Sequence, residues 1–375
     1  MELPIRLLRP TYDDQTKKEL LDVLDSGWVS FGPKVKEFEQ AFAERVGATY
    51  AVATNSATSA LDLCIKAYGL KGGELITPAF TFTADANVGE WNDMEVVFAD
   101  IDPDTFCINP ETMPLSEKTK VIIAVDCHGR LAPISAIREA WANHFPSLPA
   151  PLIIEDAAHA THTPGVGEGD IVVYSFQAVK SMPIFDGGMI TTNDKNIYET
   201  LRKLTWLGIE KDTYERATGT RYDWNYDITR GDGLKAYMTN VQAVLGLGQL
   251  RRLDALLEKR QKIQEKYNQA FEGNKWFKKP AYSHTVQYYT PQWMSREGLS
   301  KFLGENDIHT SVHFKPLSEM TYWKKAVRTP LPGTSVWLSL LSLPVHDALT
   351  EEEQDYVISK VFEFFNQTKT VKDLC

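Results

Sequence analysis

The sequence predicts an α/β fold with a mostly parallel, doubly wound sheet, followed by a smaller C-terminal α+β unit. Short apolar runs without polar alternation, such as those at 121–125, 152–154 and 171–174, are typical of strands buried on both faces. Helical patterns with short connections separate most of these runs, and repeated strand–helix alternation implies parallel pairing. We expect a large domain over residues 1–250, including an N-terminal arm, and a small domain over residues 251–375.

Composition and charge limit the classes of function. A chain of 375 residues can bury a large core, and 43% hydrophobic with 24% charged residues is an ordinary globular composition. The formal net charge of −10 disfavours a surface for nucleic acid or for an anionic membrane. The cysteines (Cys64, Cys107, Cys127 and Cys375) show no CxxC spacing, so neither a disulfide framework nor a metal site is predicted. Because no signal-like start or membrane-length apolar run is found, we expect a cytoplasmic protein.

Helices of the large domain are predicted where apolar residues recur at three- and four-residue steps, as Val35, Phe38 and Phe42 do. Strands are predicted from short apolar runs between glycines and polar residues. In chain order the pattern predicts helix 13–25, helix 34–46, strand 51–53, helix 60–67, strand 75–76, helix 83–90, strands 96–98 and 121–125, helix 134–145, strands 152–154, 171–174 and 189–190, and helix 195–207.

The rest of the chain is less regular. The charged stretch 208–233 has little periodicity, and a loop of that length is usually functional or disordered. One long helix is predicted over 239–271 from its broad apolar stripe. A final helix is predicted to begin at Thr350, which has capping-box spacing with Glu353. Between these helices, short strands are predicted at 286–289, 308–314 and 337–343.

One acid and one lysine follow neighbouring buried strands. Asp156 ends the run that begins at Leu152, and Lys180 follows the run that ends at Tyr174. Ligands of parallel sheets collect at the carboxyl ends of the strands, so both side chains are expected at one rim. The alternative is that Lys180 is a solvated surface lysine and Asp156 a helix cap, since such residues are mostly exposed.

Three further stretches have both a binding and a structural interpretation. The turn 54–59, rich in small polar residues, precedes a helix and predicts either a phosphate cradle or an ordinary N-cap. Phe80 follows a strand, where an aromatic ring either stacks on a ligand or belongs to the core. The loop that contains Trp28 and Phe31 either borders a pocket or packs a corner.

A phosphate cradle, an aromatic ring, a carboxylate and a lysine at one sheet edge are the parts that pyridoxal phosphate requires. A lysine amine forms an imine with the aldehyde of this cofactor. A carboxylate keeps the ring nitrogen protonated, so that the ring withdraws electrons from the substrate carbon. The sequence has no dinucleotide-binding glycine pattern after its first strand, which disfavours a Rossmann-type dehydrogenase.

The motifs resemble those of the DegT/DnrJ/EryC1/StrS family of pyridoxal-phosphate sugar aminotransferases over almost the whole chain. Each motif is weakly specific alone, but the set in this order is highly specific. The resemblance implies the fold type I aminotransferase architecture and a homodimer with active sites at the subunit interface. The motifs are GWVSFGPKVKEFEQAFAERVG (27–47), TNSATSALDLCIKA (54–67), TPAFTFTADAN (77–87), IIEDAAHA (153–160), YSFQAVK (174–180), DGGMITTND (186–194), GLKAYMTNVQAVLGLGQL (233–250) and SLPVHDALTEEE (342–353).

The resemblance assigns roles around the cofactor ring. Lys180 matches the lysine that bonds the cofactor and moves protons during transfer. Asp156 matches the partner of the ring nitrogen. His159 lies where the family has Gln or His beside the ring hydroxyl, and Phe80 matches the aromatic residue stacked on the ring.

The resemblance also assigns residues to the phosphate and to the substrate. Ser56 and Ala57 match the turn that holds the phosphate, and Ser175 matches a further phosphate ligand. Lys235 matches a position that reaches across the dimer toward the neighbour's phosphate. The predicted substrate contacts are Trp28, Phe31, His313 and Lys315.

The activity that the resemblance implies is transfer of an amino group from L-glutamate to a nucleotide-linked keto-deoxysugar, at C4 in preference to C3. One branch of the family replaces the lysine with His and removes a hydroxyl group, and Lys180 argues against that branch. Two alternatives stay open at this point: a pyridoxal-phosphate-dependent sugar dehydratase, and a regulatory member of the fold without turnover.

Overall fold

A seven-stranded sheet forms the centre of the protein, whose computed structural model describes residues 4–217 and 224–367. Cys375 and residues 218–223 of the irregular stretch lie outside the described residues. The strands are β1 (Tyr50–Thr54), β2 (Glu74–Pro78), β3 (Glu95–Ala99), β4 (Thr119–Val125), β5 (Leu152–Asp156), β6 (Ile171–Ser175), β7 (Gly188–Thr192), β8 (Phe277–Lys278) and β9 (Gln292–Trp293).

The helices follow the predicted order through the first 204 residues, with bounds that differ by a few residues. They are α1 (Asp14–Asp25), α2 (Pro33–Val46), α3 (Ala57–Ala67), α4 (Ala84–Trp91), α5 (Ile134–His144), α6 (Lys195–Leu204), α7 (Thr213–Ala217), α8 (Asn240–Arg251), α9 (Leu253–Phe271), α10 (Arg296–Glu305) and α11 (Glu351–Gln367).

The central sheet has the strand order β1-β7-β6-β5-β4-β2-β3. Only β7 runs antiparallel to its neighbours β1 and β6, and the other pairs are parallel. The prediction of a mostly parallel α/β fold is therefore confirmed. Because β5, β6 and β7 are buried along their whole length, their unalternating apolar runs are explained by helices on both faces.

Two apolar layers cover the sheet. On one face, α3 and α6 pack on inward residues such as Val121 and Val173. On the other face, Phe38 and Phe42 of α2 and Val244 of α8 pack around Tyr174. The sheet is thus fixed between helices, and the carboxyl ends of its parallel strands are left as the place where loops and side chains converge.

The prediction of one helix over 239–271 is wrong, because the chain breaks at Arg252 between α8 and α9. Arg252 leaves the helical conformation, with φ −111° and ψ 7°, and its Nη2 donates to Thr11 Oγ1 at 2.9 Å. α8 packs on the central sheet, whereas Ile263 and Tyr267 of α9 belong to the core of the C-terminal elements. The apolar pattern continues across the break because α8 is buried on most sides and α9 has one apolar face, so periodicity alone did not reveal the break.

The three strands predicted at 286–289, 308–314 and 337–343 are also wrong. These segments form isolated bridges, Tyr289 with Leu343 and Ser311 with Ser342, and the start of the third segment is a 3₁₀ helix, Pro332–Leu338. Pro291 and Pro344 lie beside the bridged positions, and a proline cannot donate to a strand ladder. The paired strands of this region are instead the two-residue β8 and β9.

The C-terminal elements form their own apolar core, which includes α9, α10, α11 and one residue from the N-terminus. Ile5 is buried there, and its backbone exchanges hydrogen bonds with Asp307 and His309 at 2.8 and 2.9 Å. The predicted capping box is confirmed: Glu353 N donates to Thr350 Oγ1, and Thr350 N donates to Glu353 Oε2. The division into domains at residue 250 stays a prediction.

Within residues 4–217 and 224–367, no helix combines the length and the apolar character needed to cross a membrane. A cytoplasmic location stays a prediction. Cys64, Cys107 and Cys127 are buried as free thiols.

Candidate active site

A cavity of about 500 Å³ lies where the carboxyl ends of β4, β5 and β6 face the C-terminal elements. Lys180 and Asp156 both line it, together with Ser56 and Ala57 at the start of α3. A second cavity, of about 580 Å³, lies between α2 and α6. Two of its cations are already paired with acids, since Arg202 Nη1 is 2.6 Å from Glu39 Oε1 and Lys36 Nζ is 3.7 Å from Asp212 Oδ2. The first cavity is therefore the candidate active site.

Lys180 presents an amine of altered basicity to this cavity. Burial lowers the pKa of Lys180 to about 8, although the Asp156 carboxylate opposes the shift. Among the described residues, no acceptor is within hydrogen-bonding distance of its Nζ. A lysine that is largely desolvated and unpaired is a stronger nucleophile at neutral pH than a surface lysine.

A side chain from the C-terminal elements holds the backbone on both sides of Lys180. Gln287 is fully buried, its Nε2 donates to Val179 O, and its Oε1 accepts from Ser181 N, both at 2.8 Å. On the other side, Lys180 N donates to Gln177 O at 2.8 Å. The amine is thus positioned by contacts with two parts of the chain. Sequence reasoning missed Gln287, because no local pattern connects it to a lysine more than 100 residues away.

Asp156 ends β5 and is 7% exposed, toward the cavity. Its Oδ1 accepts a hydrogen bond from Ala158 N at 2.9 Å. Burial raises the pKa of Asp156, while the Ala158 N–H, the Lys180 ammonium and a hydrogen bond with Asp85 oppose that rise. Asp85, on α4, is another cavity residue that the sequence reasoning missed, although it lies inside the quoted motif TPAFTFTADAN.

The turn at the start of α3 is built to receive an anion. Ser56 is its N-cap, and its Oγ accepts from Ser59 N at 3.1 Å, so the N-cap interpretation is confirmed. The N–H groups of Ala57 and Thr58 begin the helix without intrahelical partners and line the cavity. Ser175, at the end of β6, lines the cavity beside them.

Gly188 makes this turn possible by close approach. A Cβ at Gly188 would lie 2.6 Å from Ala57 N and 2.7 Å from Thr54 Oγ1, distances that backbone packing does not tolerate. We expect Gly188→Ala to displace the turn, to lower the free energy of unfolding by about 1–3 kcal/mol and to weaken binding of inorganic phosphate. Denaturant unfolding and phosphate titration of the cofactor-free protein measure both effects.

Gly304→Ala is the matched control for this substitution. Nothing lies within 4 Å of a Cβ at Gly304, which is in α10. We expect a gain of about 0.5–1 kcal/mol, because alanine is the better helix former. Equal unfolding free energies for Gly188→Ala and the unchanged protein would contradict the close approach.

His159, Tyr288 and Phe314 form another part of the cavity wall. The ring of His159 lies parallel to that of Phe314, with centroids 5.7 Å apart. Burial lowers the pKa of His159 well below its usual value, so the ring is neutral. The ligand atoms of Cys127, His128 and His159 lie within 4.8 Å of one another. Because burial raises the pKa of the Cys127 thiol well above its usual value, the thiol stays protonated and is a poor metal ligand.

The structure contradicts the prediction that Phe80 stacks on the cofactor ring. Phe80 is fully buried between the rings of Phe106 and Phe314, at 5.4 and 6.2 Å, and does not line the cavity. The core interpretation of Phe80 is therefore correct. Phe82, two residues later, is 60% exposed and lines the cavity. Sequence alone did not separate two phenylalanines that flank the same turn.

The predicted substrate contacts do not meet in one place within the chain. His313 lines the cavity, stacks on Tyr288 at 3.7 Å and hydrogen-bonds through Nδ1 with Ser342 Oγ at 2.8 Å. Lys315 lies outside it, with Nζ 5.8 Å from the centre of the Trp337 ring.

Trp28, Phe31 and Lys235 also lie away from the cavity of their own chain. Trp28 Nε1 donates to Phe31 O at 2.8 Å, and Phe31 is buried beneath the Arg202 guanidinium. Lys235 is exposed, with Nζ 5.7 Å from the centre of the Trp206 ring. These three residues share one side of the molecule, next to Tyr237 and Trp206.

The comparison with known proteins identifies the family. The sequence profile of the DegT/DnrJ/EryC1/StrS aminotransferase family matches residues 10–362. The chain belongs to this family. The spore coat polysaccharide biosynthesis protein SpsC of Bacillus subtilis (strain 168) is 33% identical, over 94% of this chain and 95% of its own length.

Solved structures of the DegT/DnrJ/EryC1/StrS family superpose on nearly the whole chain. Spr1654 from Streptococcus pneumoniae, in its PLP form, has a TM-score of 0.86 at 27% identity, covering 98% of this chain and 100% of its own. DesI, whose structure was determined in the presence of its TDP-sugar product, has a TM-score of 0.83 at 27% identity, covering 96% and 93%. The protein is therefore a pyridoxal-phosphate-dependent sugar aminotransferase with the fold type I architecture.

The cavity fits the cofactor of the DegT/DnrJ/EryC1/StrS family. An unpaired amine suits an aldehyde, a buried carboxylate suits a ring nitrogen that must stay protonated, and a helix N-terminus suits a phosphate. Since Gly188 leaves no room for a side chain, the turn at Ser56 stays close to the sheet rim.

Proposed function

We propose that the protein transfers an amino group from L-glutamate to a nucleotide-linked keto-deoxysugar, at C4 in preference to C3. The observation that carries the proposal is the meeting of Lys180, Asp156 and the N-terminus of α3 around one cavity. The nucleotide is supported by DesI, which was studied with a TDP-sugar product, and a role in polysaccharide synthesis by the name of SpsC. When bound, pyridoxal phosphate carries the amino group between donor and acceptor and withdraws electrons from the reacting carbon.

We assign the proton transfers to Lys180. Its Nζ, with a pKa lowered to about 8, both accepts and returns protons near neutral pH, which is the condition for efficient general acid–base catalysis. The clamp by Gln287 restricts the backbone on either side of the amine, so Nζ reaches the substrate carbon from a fixed direction.

The remaining residues are proposed to bind and orient the cofactor. Asp156 is proposed to face the ring nitrogen, and neutral His159 to lie beside the ring hydroxyl. The N–H of Ala57 and the hydroxyls of Ser56 and Ser175 are proposed to hold the phosphate. All of these residues line the cavity. Phe82 replaces Phe80 as the aromatic residue proposed to contact the ring, because only Phe82 reaches the cavity.

The proposal includes a homodimer with shared sites. Trp28 and Lys235 share a side of the molecule away from their own cavity, and we propose that they contribute to the site of a second copy. Phe31 is buried beneath Arg202, so its predicted substrate contact is replaced by a packing role on this side. The small-domain residues His313 and Lys315 are retained as proposed substrate contacts. A molar mass of one chain by light scattering, for active enzyme, would refute the shared site.

The decisive experiment is a panel of keto-sugar nucleotides that differ in base (dTDP, UDP, GDP) and in the position of the ketone (C3 or C4), each incubated with L-glutamate. We expect mass spectrometry to show replacement of the ketone oxygen by an amino group, fastest for one C4 ketone. Loss of water without gain of nitrogen would identify a dehydratase instead. Cofactor-loaded protein that converts no substrate and does not react with any amino acid would favour a regulatory role.

A further inference from the structure

The carboxyl group of Asp85 lies against that of Asp156, and both residues line the cavity. Asp85 is 1% exposed and projects from the first turn of α4. Its Oδ2 accepts a hydrogen bond from Thr81 Oγ1 at 2.5 Å. Its Oδ1 is buried and has no hydrogen-bond partner among the described residues, yet the two carboxyl groups are within hydrogen-bonding reach of each other.

Two carboxylates cannot both be ionised in such a place. An ionised group buried without a donor is strongly disfavoured, and two acids in contact share one proton. Burial raises the pKa of Asp85 well above its usual value, and the neighbouring Asp156 carboxylate raises it further. Asp156 has the Ala158 N–H and more exposure, so it is the member that keeps the negative charge.

The charged groups that act on the Asp85 carboxyl group come from other elements of the fold. The charged groups that act on it are Asp156, from β5, and Lys180, from the turn after β6. On its own helix, Glu90 is occupied by Lys325 at 2.5 Å and by Tyr322. Because Oδ2 is already engaged by Thr81, a proton on Oδ1 is free to be donated to Asp156.

We propose that Asp85 is a positioning residue that stays protonated and donates a hydrogen bond from Oδ1 to Asp156, which fixes the negative oxygen of Asp156 toward the ring nitrogen of the cofactor. The inference rests on the proposed role of Asp156. It adds a fixed donor beside Asp156, and this donor lowers the tendency of Asp156 to take the ring proton for itself.

Two substitutions separate this role from the alternatives. In Asp85→Asn the amide N–H₂ still donates to Asp156 while its oxygen accepts from Thr81, so we expect kcat within about threefold of the unchanged enzyme. In Asp85→Ala the donor is lost, and we expect kcat to fall about 10- to 100-fold with KM for the sugar little changed. We also expect the pH at which the bound cofactor's absorption titrates to shift by about one unit in Asp85→Ala but not in Asp85→Asn.

The protonation state is measured without cofactor or substrate. The infrared difference between the unchanged protein and Asp85→Asn, both cofactor-free at neutral pH, is expected to contain the carbonyl band of one protonated carboxylic acid, which shifts in D₂O. The difference removes the bands of other buried acids, such as Asp126, whose pKa burial also raises. The pKa of Asp85 in the folded protein is raised above the usual 3.8, so the free energy of unfolding is expected to decrease as the pH rises above 3.8. This contribution to the pH dependence is expected to be absent in Asp85→Asn.

Each outcome decides the proposal. Absence of the infrared band, equal loss of kcat in Asp85→Asn and Asp85→Ala, or an unmoved cofactor titration in a folded Asp85→Ala protein would each overturn it. Failure of the proposed function is seen separately, because it would leave the unchanged protein without cofactor absorption or turnover while the infrared measurement still reports on Asp85.

Discussion

Lys180→Ala is expected to lower the rate of amino transfer by at least about 10³-fold, because it removes the proposed nucleophile and proton-transferring group. The purified variant is expected to lack the visible absorption of lysine-bound cofactor while retaining phosphate binding at Ser56. The rate of ¹⁵N transfer from labelled glutamate to the sugar, followed by mass spectrometry, measures the loss of activity.

The same variant tests the altered basicity of the amine. The pKa of Lys180 is lowered from 10.5 to about 8 in the folded protein, so the unfolded chain binds more protons between these values. The free energy of unfolding of the cofactor-free protein is therefore expected to rise from pH 8 to pH 10.5, and this rise is expected to be smaller in Lys180→Ala.

Lys301→Ala is the matched control, since the Lys301 side chain is 81% exposed on α10 and its nearest acid, Glu305, is 4.0 Å away. It is expected to keep the activity, the absorption and the pH profile of the unchanged protein. Undiminished turnover in Lys180→Ala would mean that a different group performs the transfer.

The second large effect is expected from Asp156→Ala. Removing a buried negative charge beside a ring nitrogen lowers the fraction of cofactor that carries the ring proton, and we expect kcat to fall about 10²–10³-fold. Loss of the opposing carboxylate is also expected to lower the pKa of Lys180 below its present value of about 8, since Asp156 is the largest influence that raises it.

The pH profile of kcat and the absorption of bound cofactor measure both consequences of Asp156→Ala. Asp14→Asn is a suitable control, because its side chain is 98% exposed at the start of α1. A normal kcat for Asp156→Ala, with an unchanged cofactor spectrum, would show that another group protonates the ring.

Much of the site could be predicted because its residues lie at the ends of strands whose apolar runs are easy to read. Asp156 and Ser175 are the last residues of β5 and β6, so register in a parallel sheet brought them together. Ser56 could be placed at a helix start because small polar residues cap helices through local hydrogen bonds. These features depend on a few neighbouring residues, so they can be predicted without knowledge of tertiary contacts.

What could not be predicted depends on contacts between distant parts of the chain. Whether Phe80 or Phe82 reaches the cavity depends on which side of the turn meets Phe314, more than 200 residues later. The end of α8 at Arg252 depends on Thr11, and the missing strands of the C-terminal elements depend on how prolines and aromatic rings pack there. Asp85 lies within the predicted helix 83–90, and its contact with Asp156 depends on tertiary structure that the sequence pattern does not give.

The clamp by Gln287 also bears on how the enzyme is made. A ribosome releases Lys180 long before it releases Gln287, and until the C-terminal elements dock, Val179 O and Ser181 N lack the side-chain partner that they have in the finished protein. In a nascent chain, Lys180 is therefore expected to react with aldehydes no faster than an ordinary lysine. Reactivity toward the cofactor arrives last, as a property of the completed molecule.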